Sequence, residues 1–513
     1  MSELKVRLLP QGLDLVLERG DPLGGALGRA VSLADLLAVN EVEFPCGGKG
    51  VCRGCRVRVV SGTLEPGEKD RARLSPEELA QGWRLACQAR PQEDLVLELR
   101  QWSAQVLTDQ TSFAFKPAEG LGLAVDIGTT TMAAQLLDLK SGQVLGTRTA
   151  LNPQARYGAD IMSRICFALS DGGGPTLEKL VKDQLAGLVA GLMEQAPKGA
   201  SPARAVLVGN TAMHHLFLGH PMDGLASYPF EGGHPEGAEL SGVELGWKGA
   251  ESCRALFLPN LGGFVGSDIL AVILATGMHK AADIQGAADL GTNGEIVFGN
   301  RDVLWVASTA AGPAFEGAKI SQGMRAARGA VDRVSAVDGR LETHVIGGGA
   351  ATGVCGSGLV DAVARGLDLG LLDVSGRVGP GGLEMKDGVR ITQKDIRELL
   401  LAKAAIATGM RILGRLAGLG ERDRAGFFLA GAFGKALDLD SGRRIGLFTP
   451  NAADIVPVGN AALLGAKMAL FTAFDSKDPF ADILSKTRHV SLEKDPDFQE
   501  MFVDQLGFPE TAP

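Results

Sequence analysis

The sequence predicts a multidomain α/β protein, and three observations support that fold class. The chain has 513 residues, which at roughly 100–200 residues per domain is enough for about three compact units. Four of its seven cysteines lie at or before Cys87, between segments that alternate in polarity like β-strands. An apolar strand, an aspartate-containing turn and a second strand occur together twice in the remainder, around Asp126 and Asp289.

Charge and hydrophobic patterning exclude several classes of protein. With 51 Lys and Arg against 60 Asp and Glu, the net charge of −9 argues against a nucleic-acid-binding protein. No apolar run approaches the roughly 18–20 residues that cross a bilayer, so no membrane association is expected. The first residues lack a basic segment followed by an apolar one, so we expect no signal peptide. We therefore expect a cytoplasmic protein whose cysteines do not form a disulfide framework.

The N-terminal cysteines have the spacing of an iron–sulfur site. Cys46-x5-Cys52-x2-Cys55 is followed at a distance by Cys87, which matches the plant-type [2Fe–2S] arrangement of three grouped cysteines and one remote one. The five-residue first gap resembles that of adrenodoxin-like ferredoxins. A structural zinc site and four unrelated thiols are the alternatives, but zinc sites usually contain two CxxC-type pairs, and this segment has one. We predict a [2Fe–2S] domain over residues 1–99.

Residues 100–119 show no sustained period and are expected to form a linker, after which a duplicated motif begins. LGLAVDIGTTTMAAQLLDL places Asp126 in a turn after an apolar strand, and GAADLGTNGEIVFGN repeats this design with Asp289. Each turn can bring a carboxylate, glycine N–H groups and hydroxyl or amide groups to phosphate oxygens and a metal ion. A third segment, FFLAGAFGKALDLD, combines an apolar strand, a glycine turn and a helix.

No GxxxxGK[ST] motif occurs, and no strand–GxGxxG–helix unit is convincing, which disfavours the phosphate-binding-loop and dinucleotide-binding folds. Two Asp-x-Gly-Thr hairpins followed by a glycine turn instead resemble the actin, sugar kinase and heat-shock ATPase superfamily. The resemblance implies two ribonuclease-H-like lobes, at 120–279 and 280–475, that close on ATP, followed by a C-terminal tail over 476–513. Segments 262–277 and 458–470 are expected to be the helices that connect the lobes.

A ferredoxin unit of β-grasp fold placed before such an ATPase resembles the reductive activators of corrinoid proteins. The phrases VGNTAMHHLFLG, STAAGPAFEGAKI and CGSGLVDAV are also similar to that family. Its members use ATP to help a [2Fe–2S] domain return Co(II) corrinoid to the methyl-accepting Co(I) state. The resemblance implies the cluster, ATP and Mg²⁺ as cofactors. It also implies a corrinoid protein of a methyltransferase system and an external low-potential electron donor as partners, and a homodimer.

The resemblance further assigns residues to the nucleotide site. The first phosphate loop would comprise Asp126, Gly128, Thr129, Thr130 and Thr131, and the second Asp289, Gly291, Thr292, Asn293 and Glu295. The glycine turn of the third segment, which we call the glycine elbow, would border the adenine through Gly431, Ala432 and Phe433. Gly434 belongs to the same elbow. Asp126 and Asp289 would hold Mg²⁺ through water molecules, because magnesium keeps much of its hydration shell.

Three further positions are expected to lie near this site, with different roles. Glu316 would either position the attacking water or stabilise a helix N-terminus. Asn210 and Thr211 are candidates for contacting phosphate.

His214 and His215 are adjacent in the chain, and adjacent side chains point apart and rarely ligate one metal together. A packing role is therefore favoured for them over a role as metal or corrinoid ligands. The three scattered cysteines, Cys166, Cys253 and Cys355, are expected to be small buried apolar residues.

Three other functions are compatible with the sequence. They are an ATP-driven electron donor to a dehydratase or ring reductase, a redox-sensing ATP-binding regulator, and a small-molecule kinase with an accessory redox domain. Activators of dehydratases hold a [4Fe–4S] cluster between two identical subunits, so the self-contained four-cysteine module argues against the first of these.

Overall fold

The chain, in this computed structural model, divides into two compact units. One unit comprises Met1–Ala104 with Leu151–Gly173, and the other comprises Gln105–Ala150 with Gly174–Pro513. The structure describes residues 3–9, 13–18, 50, 55–99, 111, 113–158, 160–291, 293–420, 422–449, 452–474 and 479–510. Cys46, Cys52, Thr292 and linker residues 100–110 and 112 lie outside the described residues.

The first unit contains a five-stranded mixed sheet of order β2-β1-β5-β3-β4. Its strands are β1 Glu3–Leu9, β2 Leu13–Glu18, β3 Arg56–Ser61, β4 Trp83–Leu85 and β5 Leu95–Leu99, and its helices are α1 Glu68–Arg73, α2 Pro76–Ala80 and α3 Ile161–Ala168. β1 pairs antiparallel with β2 and parallel with β5. Alternate residues of β5 are buried, as expected for a strand with one face on a core.

The second unit begins with a six-stranded sheet of order β10-β11-β9-β6-β7-β8. Its strands are β6 Leu121–Ile127, β7 Thr131–Asp138, β8 Val144–Leu151, β9 Pro202–Val208, β10 Ala238–Ser241 and β11 Arg254–Phe257. The helices of this part are α4 Gly173–Met193, α5 Thr211–Leu218, α6 Asp223–Ala226 and α7 Ser267–Thr276. We refer to this sheet and its helices as the first lobe.

The second lobe has a six-stranded sheet of order β21-β20-β12-β13-β14-β22, with a three-stranded and a two-stranded sheet beside it. Its strands are β12 Gln285–Leu290, β13 Gly294–Gly299, β14 Leu304–Thr309, β15 Ala330–Val337, β16 Arg340–Val345, β17 Gly353–Val354, β18 Leu383–Glu384, β19 Arg390–Ile391, β20 Ala425–Ala430, β21 Ala452–Gly459 and β22 Thr487–His489. Its helices are α8 Gly356–Asp368, α9 Gln393–Leu416, α10 Gly431–Ala436, α11 Leu439–Arg444, α12 Ala461–Ala469, α13 Ala481–Lys486 and α14 Phe498–Asp504.

The two large sheets share one topology. In each, the first strand of the lobe (β6 or β12) lies between an antiparallel neighbour (β7 or β13) and a parallel one (β9 or β20). Each sheet then adds an extra strand at one edge, β10 in the first lobe and β22 in the second. The internal repeat predicted from the two aspartate motifs is therefore confirmed as a repeat of supersecondary structure.

Helices α7 and α12 pack against each other and join the lobes. One buried cluster combines Ala124 of the first sheet and Val297 of the second with Ile269 of α7 and Leu463 of α12. Gly465 of α12 faces the Ala271 carbonyl so closely that a Cβ would overlap it. The glycine therefore allows the two helices to approach closely. In the described part of the chain, no helix is long and apolar enough to cross a membrane.

Candidate functional sites

Asp126 and Asp289 occupy equivalent places in the two lobes. Each is the second residue from the end of the first strand of its lobe, and each lies opposite the last residue of the parallel neighbour, Val208 or Ala430. Their carboxylates interact electrostatically, because Asp126 contributes to the raised pKa of Asp289. The duplicated motifs therefore bring two acids to one cleft between the lobes.

Two further carboxylates join this cleft. Glu295 lies opposite Asp289 in the antiparallel pair of β12 and β13, where the first lobe has Ala133 opposite Asp126. Asp268, the second residue of α7, was missed by the sequence interpretation. We call Asp126, Asp268, Asp289 and Glu295 the acidic cluster.

The acidic cluster retains protons at a pH where carboxyls are usually ionised. Burial raises the pKa of Asp126 to about 6, although a hydrogen bond from Asn460 opposes the shift. Burial, assisted by the charge of Asp126, raises the pKa of Asp289 to about 7. Burial and the charge of Asp289 raise the pKa of Asp268 to about 8. Burial, together with Asp268 and Asp289, raises the pKa of Glu295 well above its usual value. Such a set of oxygen donors fits a hydrated divalent cation.

Asn460 is a second residue that the sequence interpretation missed. It lies immediately before α12, and its Oδ1 accepts a hydrogen bond from the Leu463 N–H at 2.8 Å, as an N-cap residue does. Its Nδ2 donates to Oδ2 of Asp126 at 3.0 Å. The helix that returns between the lobes therefore also orients an acid of the first lobe.

The first loop is held by the start of α5. Asn210 caps this helix through the Met213 N–H and donates from Nδ2 to the Thr129 hydroxyl oxygen at 2.9 Å. Because Thr129 accepts this bond, its own hydroxyl hydrogen is left to donate elsewhere. Thr211 instead donates from Oγ1 to the Gly262 carbonyl at 3.0 Å. Asn210 thus contacts the first loop directly, whereas Thr211 contacts the segment that precedes α7.

Thr130 of the first loop contacts Glu316 of the second lobe. Its hydroxyl donates to the carboxylate, with distances of 3.1 Å to Oε2 and 3.3 Å to Oε1. Glu316 is the last residue of a short 3₁₀ helix, Pro313–Glu316, so it does not occupy a helix N-terminus. Gly128, Thr130 and Thr131 lie on the turn and the start of β7.

The second loop and the glycine elbow lie beside Asp289. Gly291 donates from its N–H to the Asn293 carbonyl at 3.0 Å and so closes the turn. Gly431, at the start of α10, has φ +87°, and a Cβ there would lie 2.6 Å from Oδ1 of Asp289. The Phe433 ring is 9 % exposed and packs on Phe315 at 4.8 Å between centroids. The elbow, with Ala432 and Gly434, therefore approaches the cleft through its backbone.

The paired histidines are packed in the first lobe. His215 is buried, with ring nitrogens 2.8 Å from the Pro221 carbonyl and 3.1 Å from the Gly233 carbonyl. His214 is fully buried against the Phe257 ring at 4.8 Å, and burial lowers its pKa to about 3. The favoured packing role is supported for both residues.

In the first unit, the two described cysteines of the predicted cluster site come from adjacent segments. Cys55 is buried and Cys87 half-buried, and the Ala86 N–H donates to the Cys55 carbonyl at 2.9 Å. The Gln88 amide donates to the Cys87 sulfur at 3.3 Å, an interaction that also stabilises cluster thiolates. These two positions fit the ligands of a [2Fe–2S] cluster, and the other two lie outside the described residues.

The remaining cysteines are divided between core and surface. Cys253 and Cys355 are buried, as expected, but Cys166 is exposed, so the expectation was wrong for that residue. Its helix α3 buries Ile161, Arg164 and Ile165, and one further residue turns Cys166 away from that face. Among the described residues, no group of three His, Cys, Asp or Glu side chains could hold a metal ion directly.

Comparisons with known proteins decide the family. The corrinoid activation enzyme RamQ of Eubacterium limosum is 35% identical over 422 residues, which is 75% of this chain and 70% of RamQ. The chain belongs to the corrinoid activation enzyme family. The Co(II) methylated amine-specific corrinoid protein reductase of Methanosarcina barkeri is 26% identical over 420 residues, covering 75% of this chain and 77% of that protein.

Three domain families match successive parts of this corrinoid activation enzyme family member. Residues 28–92 match the 2Fe-2S iron-sulfur cluster binding domain, residues 121–281 the RACo middle region, and residues 283–513 the C-terminal domain of RACo, described as the ASKHA domain. A solved structure of a reductive activator for corrinoid,iron-sulfur protein has a TM-score of 0.66 and 28% identity, covering 100% of this chain and 99% of that one. These matches confirm the predicted fold class, a ferredoxin domain followed by a two-lobed ATPase domain.

Proposed function

We propose that this protein carries out the ATP-dependent reductive activation of a corrinoid protein. One electron passes from the reduced [2Fe–2S] cluster to Co(II), so that the cluster is oxidised and Co(I) is formed. Family membership over three quarters of the chain carries this proposal. The same chain combines an iron–sulfur domain with an acidic cleft built from a duplicated motif, and this combination supports the proposal.

The need for ATP follows from the reduction potentials. Plant-type [2Fe–2S] centres lie near about −400 mV, and the family resemblance implies a Co(II) acceptor of still lower potential. An uphill gap of ~100 mV costs about 2.3 kcal/mol for one electron. ATP can bias the transfer only if it interacts differently with two states of the complex. Closure of the lobes on ATP while the corrinoid protein is bound would supply such a difference.

Within the cleft, Asp126 and Asp289 would hold Mg²⁺ through its water shell, with the other acidic cluster residues nearby. The ion would neutralise phosphate charge when bound. The raised pKa values of the cluster support this assignment, because carboxyls that repel one another bind a divalent cation in exchange for their protons. Thr129 would donate its hydroxyl hydrogen to a phosphate oxygen, the hydroxyl of Thr130 would remain bonded to Glu316, and the backbone at 431–433 would border the adenine.

Glu316 would act where the lobes meet. Its bond from Thr130 places a carboxylate of the second lobe beside the first phosphate loop, where it can accept a proton from an attacking water. The low-potential electron donor, a homodimer and a cytoplasmic location belong to the same proposal, the last because a reducing compartment keeps cluster cysteines available as thiolates.

The decisive experiment is anaerobic. The reduced protein is mixed with candidate Co(II) corrinoid proteins, with and without ATP, and Co(I) formation is followed by absorbance. We expect ATP to accelerate Co(I) formation and the corrinoid partner to stimulate ATP hydrolysis. Co(I) formation that is indifferent to ATP would refute the proposal, and a phosphorylated metabolite would indicate a kinase instead.

Two variants separate electron transfer by the iron–sulfur domain from nucleotide binding by the ATPase domain. Cys52→Ala is expected to abolish electron transfer while nucleotide binding is retained, and Asp126→Ala is expected to do the reverse. Equal loss of both properties in either variant would contradict this division of labour.

A further inference from the structure

The last strand of the second lobe carries His489 toward the first lobe. β22 pairs in parallel with β14, with His489 opposite Val306, and the Val490 N–H donates to the Val306 carbonyl at 2.9 Å. The sheet therefore fixes the backbone at His489. Because strand side chains stand roughly perpendicular to the sheet, this pairing also sets the direction of the imidazole.

The imidazole lies on the Gly262–Gly263 dipeptide, which precedes α7. A Cβ at Gly263 would be 2.8 Å from Cε1 and 3.0 Å from Nε2 of His489, and a Cβ at Gly262 would overlap the ring. Gly262 also has φ +153°, a backbone conformation that L-residues rarely adopt. The two glycines leave room for the ring, and no larger residue would.

The same dipeptide is bonded to the nucleotide side of the first lobe. The Gly262 carbonyl accepts from the Thr211 hydroxyl at 3.0 Å and from the Val265 N–H at 2.9 Å. Thr211 follows Asn210, and Asn210 donates to Thr129 of the first loop at 2.9 Å. A displacement of Gly262 would therefore be transmitted to Thr129 through two side-chain hydrogen bonds and one peptide link.

A second contact between the same parts of the two lobes lies nearby. Lys494, which follows β22, is 3.8 Å from the Glu231 carboxylate and 5.6 Å from the centre of the Tyr228 ring. The Phe230 carbonyl would also be 3.3 Å from a Cβ at Gly263. The segment around β22 thus meets the first lobe through an ion pair, a cation–π contact and the His489 ring.

We propose that His489 is a positioning residue for ATP binding. Its ring holds Gly262–Gly263 in the place from which Thr211 and Asn210 orient Thr129, so the C-terminal strand of the second lobe helps to set the first phosphate loop. This role rests on the proposed function, since it requires that the first loop binds ATP.

The test is a double-mutant cycle on the full-length protein. Gly263→Ala inserts a methyl group against the ring and is expected to raise the KM for ATP by about tenfold, the usual order for overpacking. His489→Ala removes the ring and is expected to raise KM by a smaller factor. In the double variant, KM is expected to return close to the value of His489→Ala alone, because the overlap with the ring is gone and only the 3.3 Å approach to the Phe230 carbonyl remains.

Two control variants keep the outcomes distinct. His489→Phe keeps a flat ring and should retain the KM of the natural protein. Gly187→Ala, at a helical glycine with open space around it, should leave KM unchanged and slightly raise Tm, because alanine favours the helix. Additive effects in the cycle, or a loss of Tm with unchanged KM, would overturn the role of His489. Failure of the natural protein to bind ATP would instead overturn the proposed function.

Discussion

Asp268 shows how the electrostatics of the cleft depend on residues outside the recognised motifs. Its pKa of about 8 arises from burial and from the charges of Asp289 and Asp126. Asp289 and Asp126 are themselves shifted upward, to about 7 and about 6. In the absence of a cation, the folded protein therefore binds protons that the unfolded chain has already released at neutral pH.

The stability of the nucleotide-free protein is therefore expected to fall as pH rises. Because the pKa values of these acids are raised in the folded state, their contribution to stability is present at low pH and is lost as pH rises through about 6 to 8. The nucleotide-free protein should therefore have a lower Tm at pH 8.5 than at pH 6.5. Asp268→Asn should reduce that difference and raise Tm at pH 8.5. Thermal unfolding measured across this pH range in the presence of a chelator would test this prediction. If Tm fell with pH as steeply in Asp268→Asn as in the natural protein, the prediction would be contradicted.

Asn460 supplies a second prediction for single residues, because its side chain has two separable roles. Asn460→Ser can still cap α12 but cannot reach Asp126, whereas Asn460→Ala loses both contacts. Loss of a hydrogen bond to a charged group costs about 1.5–3 kcal/mol, so both variants should weaken Mg·ATP binding roughly 10- to 100-fold. Asn460→Ala should also lower Tm further than Asn460→Ser does, because it loses the helix cap as well. Calorimetric binding with parallel melting curves would separate the roles, and full affinity in Asn460→Ser would show that the Asp126 contact is unimportant.

At the scale of secondary-structure elements, the sequence predicts those site residues that belong to a recognisable motif within one short segment. Asp126 and Asp289 could be identified because each lies in a repeated strand–turn–strand motif. Asp268 and Asn460 could not, because each lies at the start of a helix, outside any repeated pattern. Their proximity to Asp126 depends on the packing of α7 and α12, and Asn460 is 334 residues away from Asp126 in the chain. A polar residue within two positions after a glycine, at the start of an apolar helix, was the available signal.

The packing of α7 against α12 carries its own prediction. Since a Cβ at Gly465 would overlap the Ala271 carbonyl, Gly465→Ala should force these helices apart and cost about 1–3 kcal/mol. For a lobe of this size each kcal/mol lowers Tm by about 2–4 °C. Gly426→Ala, at a strand glycine with open space around it, is the matched control. Equal Tm values for both variants would show that α7 and α12 can separate without loss.

At the scale of the whole ATPase domain, one topology built twice places matching acids on either side of one cleft. The lobes also carry different additions, Glu295 in the second sheet and Asn210 at the start of α5 in the first. The duplicated halves are therefore not equivalent, and each supplies groups that the other lacks. Side chains that join the lobes are where ATP binding and closure would be coupled.

Glu316 and Thr130 form such a pair, and their contact separates two roles for the carboxylate. If Glu316 accepts a proton from the attacking water, Glu316→Gln should lower kcat for ATP hydrolysis by about 10²–10⁴ with little change in KM. Thr130→Val, which keeps the shape but not the hydroxyl, should then lower kcat much less. If the contact serves closure alone, the two variants should show equal losses that do not add in the double variant. Steady-state hydrolysis by the three variants, with and without a corrinoid partner, distinguishes these outcomes. We expect the first pattern, because the bond from Thr130 holds the Glu316 carboxylate beside the loop that we propose binds phosphate.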